Sequence, residues 1–391
     1  MAGALAGTKV IEAGLLVQGP QAAATLGEWG AEVIKVELPG FGDQSRWLPL
    51  APDDARSGYF IGCNRGKRSL TLDLRVPDGR DLFLRLAEQA DVVITNFKPG
   101  TMDDWGLGYD AVSARNPRIV YAVGSTFGSI GPDVQREGAD LSAQASGGLI
   151  STTGRNPSES TPVGVTIADH IASQNLVSGI LAALLHREKC GRGQKVETSL
   201  LGSQIWAQAS EYTRTLLLGT PNERSGHGHP MIPGVYGIFP TADGWLAIVG
   251  AAGAARTKLF DLIGAPDLHE TPMILWGAEK SAVFARMDEL FATRTTAAWC
   301  TVLMAEGIRH AAVRNHAEVV ADPSVWANGY LVNVDGPDGP VANVAAPVRF
   351  SETPATTPAV APELGQHTEE VLLELGLRWD EIAALQELRV I

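Results

Sequence analysis

The sequence predicts an α/β fold with a large open-sheet domain and a smaller α+β domain. Three observations predict it. Short apolar runs alternate with helical patterns through the first 200 residues. A long apolar helix follows, opened by a carboxylate and closed by glycines. After Ser225 the chain turns rich in glycine and proline (SGHGHPMIPGVYG) before new elements begin.

Residues 8–12 (TKVIE) read as a strand leading to a turn at 14–20. Residues 21–29 form a helix of small residues, and 32–37 (EVIKVE) a second strand, completing one βαβ unit. The loop ELPGFGDQSRW carries Asp43 and Arg46. Residues 69–74 (SLTLDL) alternate like a strand, and 78–89 are helical. Residues 91–97 (DVVITNF) are a nearly continuous apolar strand; a helix then runs to about 114, and 118–124 (RIVYAVG) form another buried strand. Such alternation implies a mainly parallel, doubly wound sheet. Ligands of these sheets bind beyond the carboxyl ends of the strands, which here means 15–20, 38–46, 96–100 and 125–140.

The stretch 164–201 organises the rest. After Asp169, Val177, Ile180, Leu181, Leu184 and Leu185 recur at helical spacing. Arg187 and Lys189 suit the negative helix end, Gly191 and Gly193 stop it, and 194–200 (QKVETSL) form a short strand. Asp169 has two readings. As an N-cap it would accept hydrogen bonds from free N–H groups, worth about 1 kcal/mol. As a catalytic carboxylate it would be kept ionised by the helix N-terminus, as a nucleophile must be. This segment alone favours the cap.

Beyond 225, residues 240–252 suggest a hairpin turned at Asp243-Gly244. Helices are expected near 256–263, 281–293 and 296–306. Residues 331–350 return to a strand pattern around a turn at 336–339, 352–362 form a Pro/Thr/Ala-rich connector, and a helix closes the tail from His367.

The 391 residues suffice for two domains and a sizeable core. A net charge of −13 disfavours a nucleic-acid partner, since phosphate backbones are bound by basic surfaces. Cys63, Cys190 and Cys300 are scattered, as free thiols of a reducing cytosol would be. The N-terminus has no basic n-region or long apolar core, and no apolar run reaches the roughly 20 residues of a membrane span. A cytoplasmic protein is expected, with no membrane partner.

Several motifs have a plain reading beside a chemical one. The knot Asn64-Arg65-Gly66-Lys67-Arg68-Ser69 could offer cations to a phosphate-bearing ligand, or be a solvated turn. It is not a Walker loop, because Ile61 stands where the first glycine is required. His227 and His229 lack a nearby cysteine or carboxylate in sequence, and read as surface histidines of a flexible loop rather than a metal site. The segment 250–253 (GAAG) is too short for a dinucleotide fingerprint, and no GxSxG elbow occurs.

An ordered set of segments resembles the class III CoA-transferases, the family of formyl-CoA transferase, carnitine CoA-transferase and the 2-methylacyl-CoA racemases. The set is Gly19-Pro20, 30–37 (GAEVIKVE), Gly42-Asp43 with Arg46, and 64–73 (NRGKRSLTLD). It continues through Asn96-Phe97, Pro99-Gly100, Ala168-Asp169, 191–196 (GRGQKV) and 365–377 (GQHTEEVLLELGL). It spans nearly the whole chain and is weakest over 203–321.

The resemblance implies an enzyme with Asp169 as nucleophile, forming an aspartyl anhydride and then an aspartyl-CoA thioester. Oxyanion donors are expected in the 226–234 loop. Coenzyme A binding carries over to Val17, Gln18, Leu72, Asp73, Leu74, Arg75, Asn96, Phe97, Lys98, Glu137, Gly138, Ala139 and Asp140. No metal is expected. Positions 38 and 104, often basic in relatives, are Leu38 and Asp104 here, so either phosphate pairing is expected to shift to Arg46, Arg75 or Lys98, or CoA affinity is expected to be lower. The racemases place a histidine in a GHD-like motif, where this chain has Gly138-Ala139-Asp140; alanine cannot move a proton, which favours the transferase. The alternatives are an acyl-CoA racemase or epimerase with another second base, and a non-catalytic acyl-CoA-binding protein.

The resemblance also implies a Rossmann-like large domain and a homodimer of interlocked rings. The expected division is a large CoA-binding domain at 1–200, completed by 345–391, then a linker helix at 201–224. A small domain at 225–330 follows, and 331–391 return to the large domain. The implied substrates are an acyl-CoA and a small carboxylic acid. The formyl/oxalate pair is disfavoured by the lack of that branch's run of glycines.

Overall fold

Six strands pair in parallel in the first half of the chain. They are β1 (Lys9–Ala13), β2 (Glu32–Glu37), β3 (Arg68–Thr71), β4 (Val92–Thr95), β5 (Val120–Ser125) and β6 (Lys195–Ser199), in the order β3-β2-β1-β4-β5-β6. The structure, a computed structural model, describes residues 2–156, 158–232 and 234–391. Consecutive residues feed opposite cores: Val10, Val92 and Ile94 pack with Leu26, Leu176 and Ile180, whereas Ile11 and Val93 pack with Leu70, Phe83 and Tyr121. Both faces are therefore covered, as parallel sheets require. The strand order reverses between β1 and β4, so the crevice for a ligand opens where the loops after those strands diverge.

The differences from the sequence reading have local causes. β3 ends at Thr71 rather than at residue 74, because the Asp73 carboxylate accepts the Arg75 N–H at 2.9 Å and turns the chain. The first helix, Gln18–Glu28, begins in the expected turn: Pro20 lies in its first turn, where a missing N–H costs nothing. The helix expected up to residue 114 is two short ones, Thr101–Asp104 and Tyr109–Arg115, parted at Gly106 with φ 71°.

The long helix is Ile167–Cys190, and Gly191 closes it at φ 74° by donating its N–H to Arg187 O at 2.8 Å. Its buried stripe is Ala172, Leu176, Val177, Ile180 and Ala183, while Leu185 is exposed. Small residues let it lie close to the sheet; a Cβ on Gly179 would stand 2.6 Å from Val196. Arg187 is itself buried and paired with Asp91 at 2.9 Å.

The basic knot is neither a phosphate cradle nor a solvated turn. Lys67 is buried and its Nζ meets Glu12 at 3.0 Å, Pro20 O at 2.7 Å and Asn64 Oδ1 at 2.8 Å. Arg65 pairs with Glu28 at 3.1 Å and donates to Val344 O, and the Gly66 N–H donates to Val360 O. Arg68 bridges Glu32, Glu370 and Glu374. The knot thus fastens the returning C-terminal segment to the sheet edge. Such pairing was invisible in sequence because its acids lie 36 to 306 positions away.

The chain forms two compact units. One comprises Met1–Gly147, Gly164–Gln208 and Pro323–Ile391, the other Gly148–Val163 and Ala209–Asp322. The first also contains the antiparallel pair β10 (Leu331–Gly336) and β11 (Gly339–Val344). The second is built on an antiparallel sheet of β7 (Val235–Pro240), β8 (Trp245–Ala251) and β9 (His310–Ala312), the last not expected from sequence. The β7–β8 turn falls at Asp243-Gly244, and Phe239, Phe260, Phe284, Phe291 and Trp299 fill the core. The segment 201–224 carries two helices, Leu200–Ala207 and Ala209–Leu218, instead of one. No helix among the described residues is long and apolar enough to cross a membrane.

The two loop histidines each have a carboxylate, contrary to the sequence reading. His227 Nε2 meets Asp288 at 2.8 Å, and His229 Nε2 meets Glu211 at 2.6 Å. The Met231 N–H donates to His229 Nδ1 at 3.2 Å, which fixes the tautomer with the proton on Nε2. The 226–234 loop is thereby latched within its own unit; Pro233 lies outside the described residues.

Candidate active site

The loop after β1 is held at both ends. Asn96, just past β4, accepts the Leu15 N–H at 2.8 Å and donates to Leu15 O at 2.8 Å. The Asp43 carboxylate accepts the Leu16 N–H at 3.0 Å, and Asp43 is in turn paired with buried Lys35 at 2.8 Å. Between these anchors Leu16 adopts φ 63°, a left-handed conformation that a leucine takes at a cost of about 1–2 kcal/mol. Val17 and Gln18 follow, both buried. Gln18 Nε2 has no hydrogen-bond partner among the described residues. A buried donor left unpaired costs roughly 1–3 kcal/mol and calls for a reason. Its amide lies against Gly124 at the end of β5, where a Cβ would stand 2.4 Å from Gln18 Oε1.

Asp169 sits in the first turn of the long helix but does not cap it, which corrects the cap reading. Asp140, at the start of the short helix Asp140–Ser146, supplies the cap from outside: its Oδ1 accepts the N–H groups of Ala168 at 2.7 Å and Asp169 at 3.2 Å. Gln144 Nε2 donates to Asp140 Oδ2 at 2.6 Å. The Asp169 carboxylate itself accepts no hydrogen bond among the described residues. Ser173 ties the long helix to the first one, donating to Gln18 O at 2.7 Å and Asp169 O at 2.8 Å. So Asp169 and the Gln18 loop share one hydroxyl anchor.

The electrostatics follow from this geometry. Burial pushes the Asp169 carboxyl up, and the adjacent Asp140 charge pushes it further, to about 7. Burial pulls the His170 imidazole below its ordinary value, against the opposing charge of Asp140. Its ring nitrogens are occupied, Nδ1 by Gln21 Oε1 and Nε2 by the Thr166 hydroxyl. The Cys63 thiol is pushed up to about 11, mainly by burial, which leaves it inert as a nucleophile. A half-buried carboxylate with no hydrogen bond among the described residues and a pKa pushed to about 7 can act as nucleophile or base.

Residues read as CoA-binding fall into three groups. Val17 and Gln18 follow Leu15, which Asn96 bonds across the β1–β4 reversal. Leu72, Asp73, Leu74, Arg75 and Phe97 line a cavity of about 190 Å³, walled also by Leu38, Phe41 and Trp105. Glu137, Gly138 and Ala139 are exposed and lead into buried Asp140. The cations differ in availability. Arg46 grips Glu37 through two hydrogen bonds of 2.8 Å and also reaches Pro362 O. Arg75 is exposed but paired with Asp73 at 2.7 Å. Lys98 is exposed, and its ammonium has no partner among the described residues. No group of His, Cys, Asp and Glu that could hold a metal occurs among the described residues. Sequence reasoning missed the capping by Asp140 and the Ser173 and Asn96 ties, because each joins segments far apart in the chain.

Comparison with known proteins gives a consistent answer. A family model described as CoA-transferase family III matches residues 5–368. The succinyl-CoA–D-citramalate CoA-transferase of Chloroflexus aurantiacus is 34% identical, covering 98% of this chain and 97% of its own. The succinate–glutarate CoA-transferase of Agrobacterium fabrum is 34% identical, covering 95% of each chain. A crystal structure of a CAIB/BAIF family protein from Brucella suis matches with TM-score 0.84 and 32% identity, over 96% of this chain and 100% of that one.

Proposed function

This chain belongs to CoA-transferase family III, and from that premise we propose that it moves CoA from succinyl-CoA to a small dicarboxylic acid with Asp169 as the covalent nucleophile. The names of two relatives, which pair succinyl-CoA or succinate with citramalate or glutarate, support that substrate class. The observation that carries the nucleophile is the Asp169 carboxylate: free of hydrogen bonds, at a helix N-terminus capped by another residue, and poised near neutrality.

In the proposed reaction an Asp169 oxygen attacks the thioester carbonyl, and the C–S bond breaks to release CoA thiolate and leave a mixed anhydride. The thiolate attacks the Asp169 carbonyl carbon, expelling the donor acid as its carboxylate. The acceptor carboxylate attacks that new thioester, forming a second anhydride and freeing thiolate again. The thiolate then takes the acyl group and Asp169 returns as a carboxylate, with no net proton transfer. Splitting the exchange this way lowers each barrier. Gln18, whose Nε2 is buried without a partner among the described residues, is tied through its backbone carbonyl to the Ser173 hydroxyl that also bonds Asp169 O. The apolar cavity with Leu38 and Phe97 suits the nucleotide end of CoA, and the exposed Lys98 suits its phosphates, since Arg46 is committed to Glu37 and Arg75 to Asp73. Proton transfer at Cα is disfavoured by Ala139 and by the occupied nitrogens of His170.

We also propose a cytoplasmic homodimer of interlocked chains. Trp206, Leu216, Leu217 and Leu218 are exposed to an extent that a second copy would relieve. Mixing two differently tagged preparations should give no hybrid dimers until both are unfolded and refolded; free exchange of native subunits contradicts interlocking.

The function is tested by following CoA exchange from succinyl-CoA to glutarate, citramalate and related acids. Because Asp169 must be ionised, kcat/KM should rise as pH rises through about 7. Asp140→Asn keeps the cap, as an amide oxygen accepts the same N–H groups, but removes the charge. Its acid limb should move to lower pH by about one unit. An unmoved limb means that Asp140 does not tune the nucleophile.

A further inference from the structure

We propose that Asn96 is a positioning residue that fixes the β1–α loop for the transfer step by imposing the left-handed conformation of Leu16, rather than a direct contact to CoA. The inference rests on the CoA-transferase reading and deepens it. Both ends of the Asn96 amide are engaged with Leu15, one as acceptor and one as donor. This is a bidentate bridge across the β1–β4 reversal, where the fold opens its crevice. The loop is shaped around that amide: a Cβ on Gly14 would stand 2.8 Å from Asn96 Oδ1, and one on Gly19 3.3 Å from it. The Asp43 carboxylate takes the next N–H, that of Leu16. A leucine is not held at φ 63° by its own preference, so the conformation persists because its neighbours over-determine it.

What the conformation achieves lies two residues on. It delivers Gln18 into the first turn of its helix with Nε2 unpaired, and Gln18 O onto the Ser173 hydroxyl that also bonds Asp169 O. Releasing the clamp lets Leu16 relax toward ordinary φ, which swings Val17 and Gln18 and disturbs the register between that donor and Asp169. A misplacement of about 1 Å in such a group costs on the order of 10²-fold in rate.

The test compares Asn96→Ala, Asn96→Asp, Leu16→Gly and the double variant Leu16→Gly/Asn96→Ala, with succinyl-CoA as donor and the best acceptor acid found. Asn96→Ala should lower kcat about 10- to 100-fold while KM for succinyl-CoA changes less than about three-fold. Leu16→Gly alone should stay near wild type, because glycine adopts this φ without strain. In the double variant glycine restores access to the conformation, so kcat should recover most of the loss. Asn96→Asp, which keeps the shape and the acceptor but not the donor, should fall between, and it serves if the alanine variant does not fold.

A KM increase at unchanged kcat in Asn96→Ala would make Asn96 a CoA contact and overturn the proposal. So would wild-type kcat in both Asn96 variants, or a double variant no better than Asn96→Ala. Failure of the transferase reading is separable: the wild-type protein then transfers no CoA. In that event fast amide exchange at Leu15 and Leu16 of the wild type would still overturn the clamp.

Discussion

Replacing Asp169 by asparagine should abolish CoA transfer and leave a protein more stable than wild type at pH 8. The amide keeps the shape of the carboxylate but cannot form an anhydride, so kcat should fall by about 10³-fold or more. The stability gain follows from linkage. The folded carboxyl titrates near 7, above its unfolded value, so the folded state binds the proton more tightly. Wild-type stability therefore declines as pH rises from about 4 to 7, and the asparagine variant escapes that loss. The gap should approach about 2–4 kcal/mol at pH 8 and close near pH 4, read as the difference in denaturant unfolding free energy. Such a trade of stability for function is expected where a charge is kept in a site that disfavours it. Retained turnover, or an identical pH dependence of stability, would contradict the account.

The second large effect lies beneath the site. Lys35 is fully buried and its ammonium meets Glu12 at 3.1 Å, Asp43 at 2.8 Å and Gly14 O at 3.1 Å. Burial works against its charge, but Glu12, Asp43 and Glu37 outweigh burial and hold its pKa above the ordinary lysine value. The same ammonium keeps the Asp43 carboxyl below its usual range although burial raises it. Lys35→Met leaves buried carboxylates short of a cation and should destabilise the fold by about 3–5 kcal/mol in denaturant unfolding. Adding Asp43→Asn should return part of that stability while keeping an acceptor for Leu16 N–H. A single variant within about 1 kcal/mol of wild type would mean that water reaches the pair.

Much of the scaffold was legible in the sequence. Runs such as VVIT at 92–95 and VYAVG at 120–124 are apolar on both faces, which only a sheet covered on both sides tolerates. The long helix and its Gly191 stop were legible because capping chemistry is local. Asp169 itself stood out only through the ordered motifs around it. Its surroundings were not legible, since the residue that caps its helix is Asp140, 29 positions earlier. Likewise Lys67 and Arg68 look like ligand cations in sequence, and the acids that pair with them come from β1, β2 and the helix Thr368–Glu374. Asn96 has the residue type of a ligand contact, and only its two bonds to Leu15 reveal a loop clamp. Local patterns specify elements; the partners of buried polar groups are set by topology.

The most direct test is to mix the enzyme with succinyl-CoA, quench, and measure intact mass, then treat with hydroxylamine and map peptides. A CoA-sized adduct that hydroxylamine converts to a hydroxamate at Asp169 is the predicted result. An enzyme that turns over succinyl-CoA and an acceptor acid with no adduct at Asp169, or with one at another residue, would contradict the assignment of the nucleophile.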